Sequence, residues 1–180
     1  MKCTVCILFI INLAFGVSVE KWQESEDGSR FYIEAATKYN WFEALSECAR
    51  KNMSLIAIDT SEKHQQIDNL LKRLYTSSPS FWIGGHDNAV HLRFEWISTG
   101  EPFAFTNWGP KQPATKDKNE HCLLMWSDFK WHDYYCHYKV GYICEENQLV
   151  KNVYHVRKFN QNGTYIGGGK NYFFYFHNGN

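Results

Sequence analysis

Side chains that could ligate or react gather between His121 and Cys144: His121-Cys122, His132-Asp133, Cys136-His137 and Cys144, with a further cysteine upstream at Cys48. Three chemistries are open to such a set. Thiolates with an imidazole can hold zinc, an imidazole beside a carboxylate can move protons, and an even number of cysteines can close as disulfides. No Cys-x-x-Cys spacing occurs among Cys48, Cys122, Cys136 and Cys144, which counts against a metal cluster on Cys122, Cys136 and His137. Nor is there a Gly-x-Ser-x-Gly, His-Glu-x-x-His or phosphate-binding glycine loop. The histidines therefore read as surface or hydrogen-bonded structural residues, and the expectation is a protein that binds and is not an enzyme.

The compartment follows from the amino terminus. Lys2 precedes an apolar run over residues 5–17 that closes on the small residues Ala14, Gly16 and Ser18. This run is shorter than the roughly 20 apolar residues of a membrane span, so residues 1–18 are expected to be a secretory signal peptide. Cys3 and Cys6 belong to it, leaving Cys48, Cys122, Cys136 and Cys144 in a secreted chain. Four cysteines in an oxidising compartment imply two disulfides, with three connectivities open. Asn52-Met53-Ser54 and Asn162-Gly163-Thr164 are glycosylation acceptors by pattern. Nineteen basic residues balance nineteen acidic ones, so no long-range field draws nucleic acid or an anionic membrane, and binding has to come from a local site.

The elements that must position such a site can be read from periodicity. The chain is long enough, and at 44% hydrophobic apolar enough, to bury the core of one domain. Residues 19–30 read as an exposed leader, and residues 31–33 as a first strand. Asn40 with Glu43 forms a capping pattern for a helix carrying Trp41, Ala44, Leu45 and Cys48 on one face. A second helix should start at Thr60 or Ser61, carry Ile67, Leu70, Leu71 and Leu74, and end before Ser77-Ser78-Pro79. Strands are expected at residues 82–85, 94–97, 123–126 and 140–144. Between Thr99 and Cys122 the chain is long and aperiodic, with Gly100, Pro102, Gly109, Pro110 and Pro113, and loops of that length are usually functional. Trp41, Trp82, Trp96, Trp108 and Trp126 read as packing residues. Residues 147–180 form an aromatic, Asn- and Gly-rich tail to which no role is assigned.

Taken together, these features resemble the C-type lectin domain over residues 31–146. The resemblance rests on Trp41 and Cys48, Trp82-Ile83-Gly84-Gly85, Phe94-Glu95-Trp96 with Gly100, and Asn107-Trp108. It continues through Gln112-Pro113, Glu120-His121-Cys122, Trp131-His132-Asp133 with Cys136, and Ile143-Cys144-Glu145. It implies an α+β fold of two helices with small antiparallel sheets and a long irregular binding loop. It also implies the pairs Cys48–Cys144 and Cys122–Cys136, worth roughly 4–5 and about 3 kcal/mol in the chain-entropy model.

The resemblance further implies a Ca²⁺-assisted sugar site, with glycans or glycoproteins as partners. Gln112, Glu120 and Asp133 stand at positions where family members ligate the ion, and Gln112, Glu120, His132 and Asp133 at those that contact carbohydrate. The Gln112-Pro113 bond is expected to be cis. Gln-Pro is the galactose-type half of the motif. Two positions depart from it: Ala114 offers no oxygen, and His132 offers a nitrogen that Ca²⁺ disfavours. A galactose binder also needs an aromatic platform, for which Trp131, Phe129 and Tyr134 are candidates, with Trp131 expected in the core. At a second Ca²⁺ site of the family only Asp87 fits, beside His91, Thr115 and His121, so no second Ca²⁺ is expected.

Overall fold

The computed structural model describes residues 20–25, 28–114 and 116–147. The expected signal peptide, Asn162 and nearly all of the carboxy-terminal tail lie outside them. Eight strands and two helices follow in the order β1 (Trp22–Glu24), β2 (Arg30–Tyr39), α1 (Trp41–Ala49), β3 (Met53–Leu55), α2 (Ser61–Leu74), β4 (Phe81–His86), β5 (Glu95–Trp96), β6 (Cys122–Met125), β7 (Trp131–Tyr134) and β8 (Val140–Glu146). The fold is α+β, and the strands join in one sheet of order β1-β2-β8-β4-β6-β7, with β3 on β8 and β5 on β4. The pair β4/β8 is parallel, where the expectation was of antiparallel strands.

Local chemistry accounts for the helices. Asn40 accepts from the Glu43 amide at 2.9 Å, and Glu43 returns an acceptor to the Asn40 amide at 2.8 Å, so α1 opens with a full capping box. Thr60 caps α2 by accepting from the Lys63 amide. Both helices bury the stripe read from periodicity: Trp41, Ala44 and Cys48 in α1, Ile67, Leu70 and Leu71 in α2. The Trp41 indole donates to the Ile83 carbonyl and the Trp82 indole to the Tyr39 carbonyl, both at 3.0 Å, tying α1 and the end of β2 to the sheet centre.

At that centre β4 is buried at every residue. A side chain at Gly84 would lie 2.8 Å from the Leu55 carbonyl oxygen, which explains the glycine in a strand otherwise made of large residues. The disulfides Cys48–Cys144 and Cys122–Cys136 link α1 to β8 and β6 to the segment after β7. This excludes the zinc cluster on Cys122, Cys136 and His137.

Three strands were not foreseen. β1 lies in the segment read as an exposed leader and pairs with β2, although Trp22 stays 41% exposed. β3 is three residues long, too short to show a period. β7 alternates buried and half-buried residues, but one of its buried positions is Asp133, so hydrophobicity alone does not reveal it.

A buried ion pair closes the core beneath α2. Glu145 is 6% exposed, accepts from the Ala57 amide at 2.8 Å and lies 2.6 Å from Lys63 Nζ. Burial pushes its carboxyl above the usual range, while Lys63 and the Ala57 amide pull it back. Removing one partner of such a pair is costlier than removing both. Lys63→Met should therefore lower stability in urea by about 2–3 kcal/mol, whereas adding Glu145→Gln should recover most of the loss. Additive losses in the double variant would show that the pair does not act as a unit.

Candidate functional site

The long irregular segment is fastened to the outer edge of β7. Trp131 donates its amide to the Asn107 carbonyl at 2.9 Å, and its carbonyl accepts from the Gly109 amide at 2.9 Å. Gly109 has no room for a side chain, since a Cβ there would lie 2.6 Å from His132 Nε2. The Gln112 amide then turns back to the Gly109 carbonyl, and the Gln112-Pro113 bond is cis, as the resemblance implied. One residue later the Ala114 amide donates to both carboxylate oxygens of Asp133, at 2.8 and 3.0 Å.

What holds β7 in place is the Trp131 ring, which is fully buried. It meets Trp96, Phe105 and Trp108 edge-on, with centroids 5.5 to 6.1 Å apart. Strand alternation sends Trp131 and Asp133 to one side of β7, and His132 and Tyr134 to the other. The His132 ring accordingly lies beside Trp126, with centroids 5.6 Å apart, and its Nε2 is shielded without a hydrogen-bond partner. The short disulfide Cys122–Cys136 joins the strand after Glu120 to the turn after Asp133.

The electrostatics of the rim are those of acceptors in excess of donors. Asp133 is fully buried, and burial raises its carboxyl pKa against the lowering pull of the Ala114 amide. Burial likewise raises Glu120, with the charges of Asp133 and Asp117 adding to it. Gln112 Oε1 is shielded from solvent and, among the described residues, has no hydrogen-bond partner. Oxygen ligands for a hard cation are thus available from Gln112, Glu120 and Asp133, whereas Ala114 contributes only its amide and His132 only nitrogen. The carboxylates are not drawn into a tight cluster: the described residues hold one group of three His, Cys, Asp or Glu ligand atoms within 4.8 Å, and it lies elsewhere.

Two residues at this rim carried no signal in the sequence reading. Asp117 accepts from the Tyr135 hydroxyl and from the Asn119 amide and side chain, which folds the stretch before Glu120 onto the turn after β7. That bond to Asp117 pushes the Tyr135 hydroxyl up to about 12. Tyr135 is thereby the aromatic ring tied to this stretch. Of the platforms considered from sequence, Trp131 is core, Phe129 packs on the core beneath Lys72, and Tyr134 packs among Trp126, Tyr135 and Tyr138. Position beside Cys136 was the one available pointer to Tyr135. Asn52 is exposed in the turn before β3, open to modification.

A cavity of about 610 Å³ lies between α2 and β8, lined among others by Asp59, Lys63, Gln66 and Glu145, and none of Gln112, Glu120, His132 or Asp133 borders it.

A carboxylate whose folded pKa is raised binds protons more tightly when folded, so stability falls as pH rises from the ordinary carboxylate range, about 4, upward. In chelator, the wild-type protein should lose stability over this window through Glu120 and Asp133. Glu120→Gln should flatten that decline without lowering the melting temperature at pH 7. A steeper decline in the variant would show that Glu120 is not held up by its neighbours.

Comparison with known proteins identifies the family and the fold. The family model described as "Lectin C-type domain" matches residues 37–146. Lectin subunit alpha of Sarcophaga peregrina is 34% identical over 151 residues, covering 79% of this chain, and the match spans about half (53%) of that longer relative. Among solved structures, the carbohydrate-recognition domain of cow CD23, determined in the presence of a GlcNAc2Man3 oligosaccharide, is 26% identical with a TM-score of 0.57, covering 70% of this chain and 92% of that one. A calcium-independent type II antifreeze protein is also 26% identical, with a TM-score of 0.60, covering 73% and 95%. The chain belongs to the C-type lectin domain family.

Proposed function

We propose that this protein is a secreted lectin that binds galactose-type or related sugars at the rim formed by Gln112, Glu120 and Asp133, with His132 flanking it. One observation supports the reading: Gln112 Oε1 meets no donor among the described residues, and burial holds the Glu120 and Asp133 carboxyls up. Such a rim favours an incoming cation or hydroxyl donors. Ca²⁺ is the cofactor this donor set would take, held by Gln112, Glu120 and Asp133 and offering its open positions to neighbouring sugar hydroxyls. The chain's own part is to present acceptors. Asp133 is oriented by the Ala114 amide, Glu120 is set by the adjoining disulfide, and Gln112 in place of a glutamate presents an amide as both donor and acceptor.

Secretion fits the amino-terminal segment and the two disulfides. Among the described residues no helix is long and apolar enough to cross a membrane. Binding, with no catalytic step, is the activity this rim supports.

A second reading has its own observation. Both Asp133 oxygens already accept from Ala114, His132 faces Trp126, and the domain also resembles a calcium-independent family member. A lectin-like domain that binds a protein partner without Ca²⁺ fits these facts.

Glycan-array binding with calcium and with chelator separates the two. The first reading predicts calcium-dependent retention of terminal galactose-type glycans, weakened roughly tenfold or more by Glu120→Gln, which removes a charged ligand. Silence in both conditions, together with a melting temperature indifferent to calcium, would favour the second, because an ion that binds only the folded state must stabilise it.

A further inference from the structure

We infer that Asp87, His91 and His121 form a binding site for a borderline-soft transition-metal ion of the Zn²⁺ class, separate from the sugar rim. Each side chain offers one ligand atom, and the three atoms lie within 4.8 Å of one another. His121 Nδ1 is 2.7 Å from Asp87 Oδ1, and His91 Nδ1 is 3.3 Å from Asp87 Oδ2. A tetrahedral ion with bonds of about 2.0–2.1 Å needs ligands about 3.3 Å apart; the His91–Asp87 contact already has that spacing, while the 2.7 Å His121–Asp87 contact would open to admit the ion.

The site is built into the sheet. Asp87 follows β4 and His121 precedes β6, at the end where His86 and Cys122 are register partners, and the Asp87 amide donates to the His121 carbonyl at 3.1 Å. Two ligands are thus set by paired strands. The Asp87 side chain is fully buried, and its Oδ2 accepts from the Leu92 amide at 2.6 Å, which orients the carboxylate as an outer-sphere partner does in a metal site. That same contact folds the 87–92 loop and leaves Leu92 at φ 65°, a conformation uncommon for leucine, with His91 turned inward beside it. Both His91 ring nitrogens are shielded from solvent, and among the described residues neither meets a hydrogen-bond partner, Nδ1 having only the 3.3 Å contact with Asp87 Oδ2. A shielded imidazole so poorly matched is one that a metal ion would satisfy.

The donor set selects the ion. One carboxylate oxygen and two imidazole nitrogens suit Zn²⁺, Cu²⁺ or Ni²⁺, whereas Ca²⁺ needs six to eight oxygens. Sequence reasoning found no place for a second Ca²⁺ here, and the same three residues explain why a different metal fits. With three protein ligands, the fourth position is left to water.

The test uses the full secreted chain, expressed without a histidine tag and stripped of metal. Co²⁺ titration should give the strong visible absorption of four-coordinate cobalt, saturating at one ion per chain and displaced by Zn²⁺. His91→Ala, in an exposed loop, should weaken binding about 100-fold or more, a larger loss than the 10–100-fold typical of outer-sphere changes. His91→Cys should restore it, and replacing the exposed His137 by alanine, outside the triad, should leave it unchanged. The proposal is overturned by the absence of a saturable one-to-one spectrum, or by one that survives His91→Ala and His121→Ala. Because cobalt absorbance is read without sugar or calcium, failure here leaves the lectin reading intact.

Discussion

The free edge of β7 governs the functional end of this molecule. An edge strand exposes unpaired amides and carbonyls, and here residues 107–109 satisfy those of Trp131 in both directions. Once docked there, the chain is led past Gly109 and through the cis Gln112-Pro113 bond to the point where the Ala114 amide meets Asp133. A segment with no secondary structure of its own is thus made definite by borrowing the sheet. The buried Trp131 ring fixes β7 from beneath, and the Cys122–Cys136 disulfide holds its far end against β6. Ala114 and Asp133, 19 residues apart, are thereby brought together.

The same arrangement stores unfavourable electrostatics where a ligand can relieve them. Burial holds the Asp133 and Glu120 carboxyls up, and Gln112 Oε1 lacks a donor. Each costs folding free energy, and under the proposed reading a cation or hydroxyl protons would offset it. By contrast, Glu145 is buried but matched by Lys63 and the Ala57 amide, which marks it as structural. The Asp87 triad lies between these cases, with its carboxylate satisfied and His91 unsatisfied.

Much of this was legible in the amino-acid order, and the parts that were not share a cause. Helices with caps and apolar stripes, such as those opened by Asn40 and Thr60, announce themselves within a dozen residues. The Trp82-Ile83-Gly84-Gly85 strand does so because Gly84 answers to a backbone contact within the core. Disulfide pairing and the rim residues Gln112, Glu120 and Asp133 came from the resemblance, since no local pattern joins positions so far apart. β7 was missed because a buried aspartate interrupts its alternation, and β1 because it is only three residues long within a charged, aperiodic segment and lies at the sheet edge. Asp117 and Tyr135 were missed because their bond spans 18 residues, and neither flanking stretch has a period. Likewise His91 and His121, dismissed as Ca²⁺ ligands, become a set only when β4 and β6 are placed side by side.

The account turns on the loop being organised by Asp133, and amide hydrogen exchange measures this directly. In the metal-free wild-type protein the Ala114 amide should be protected although no secondary structure surrounds it. Asp133→Ala should release that protection at Ala114 and at neighbouring loop amides, while the β4, β6 and β8 amides keep theirs. Exchange at Ala114 that is already fast in the wild type, or that stays slow in Asp133→Ala, would contradict the account.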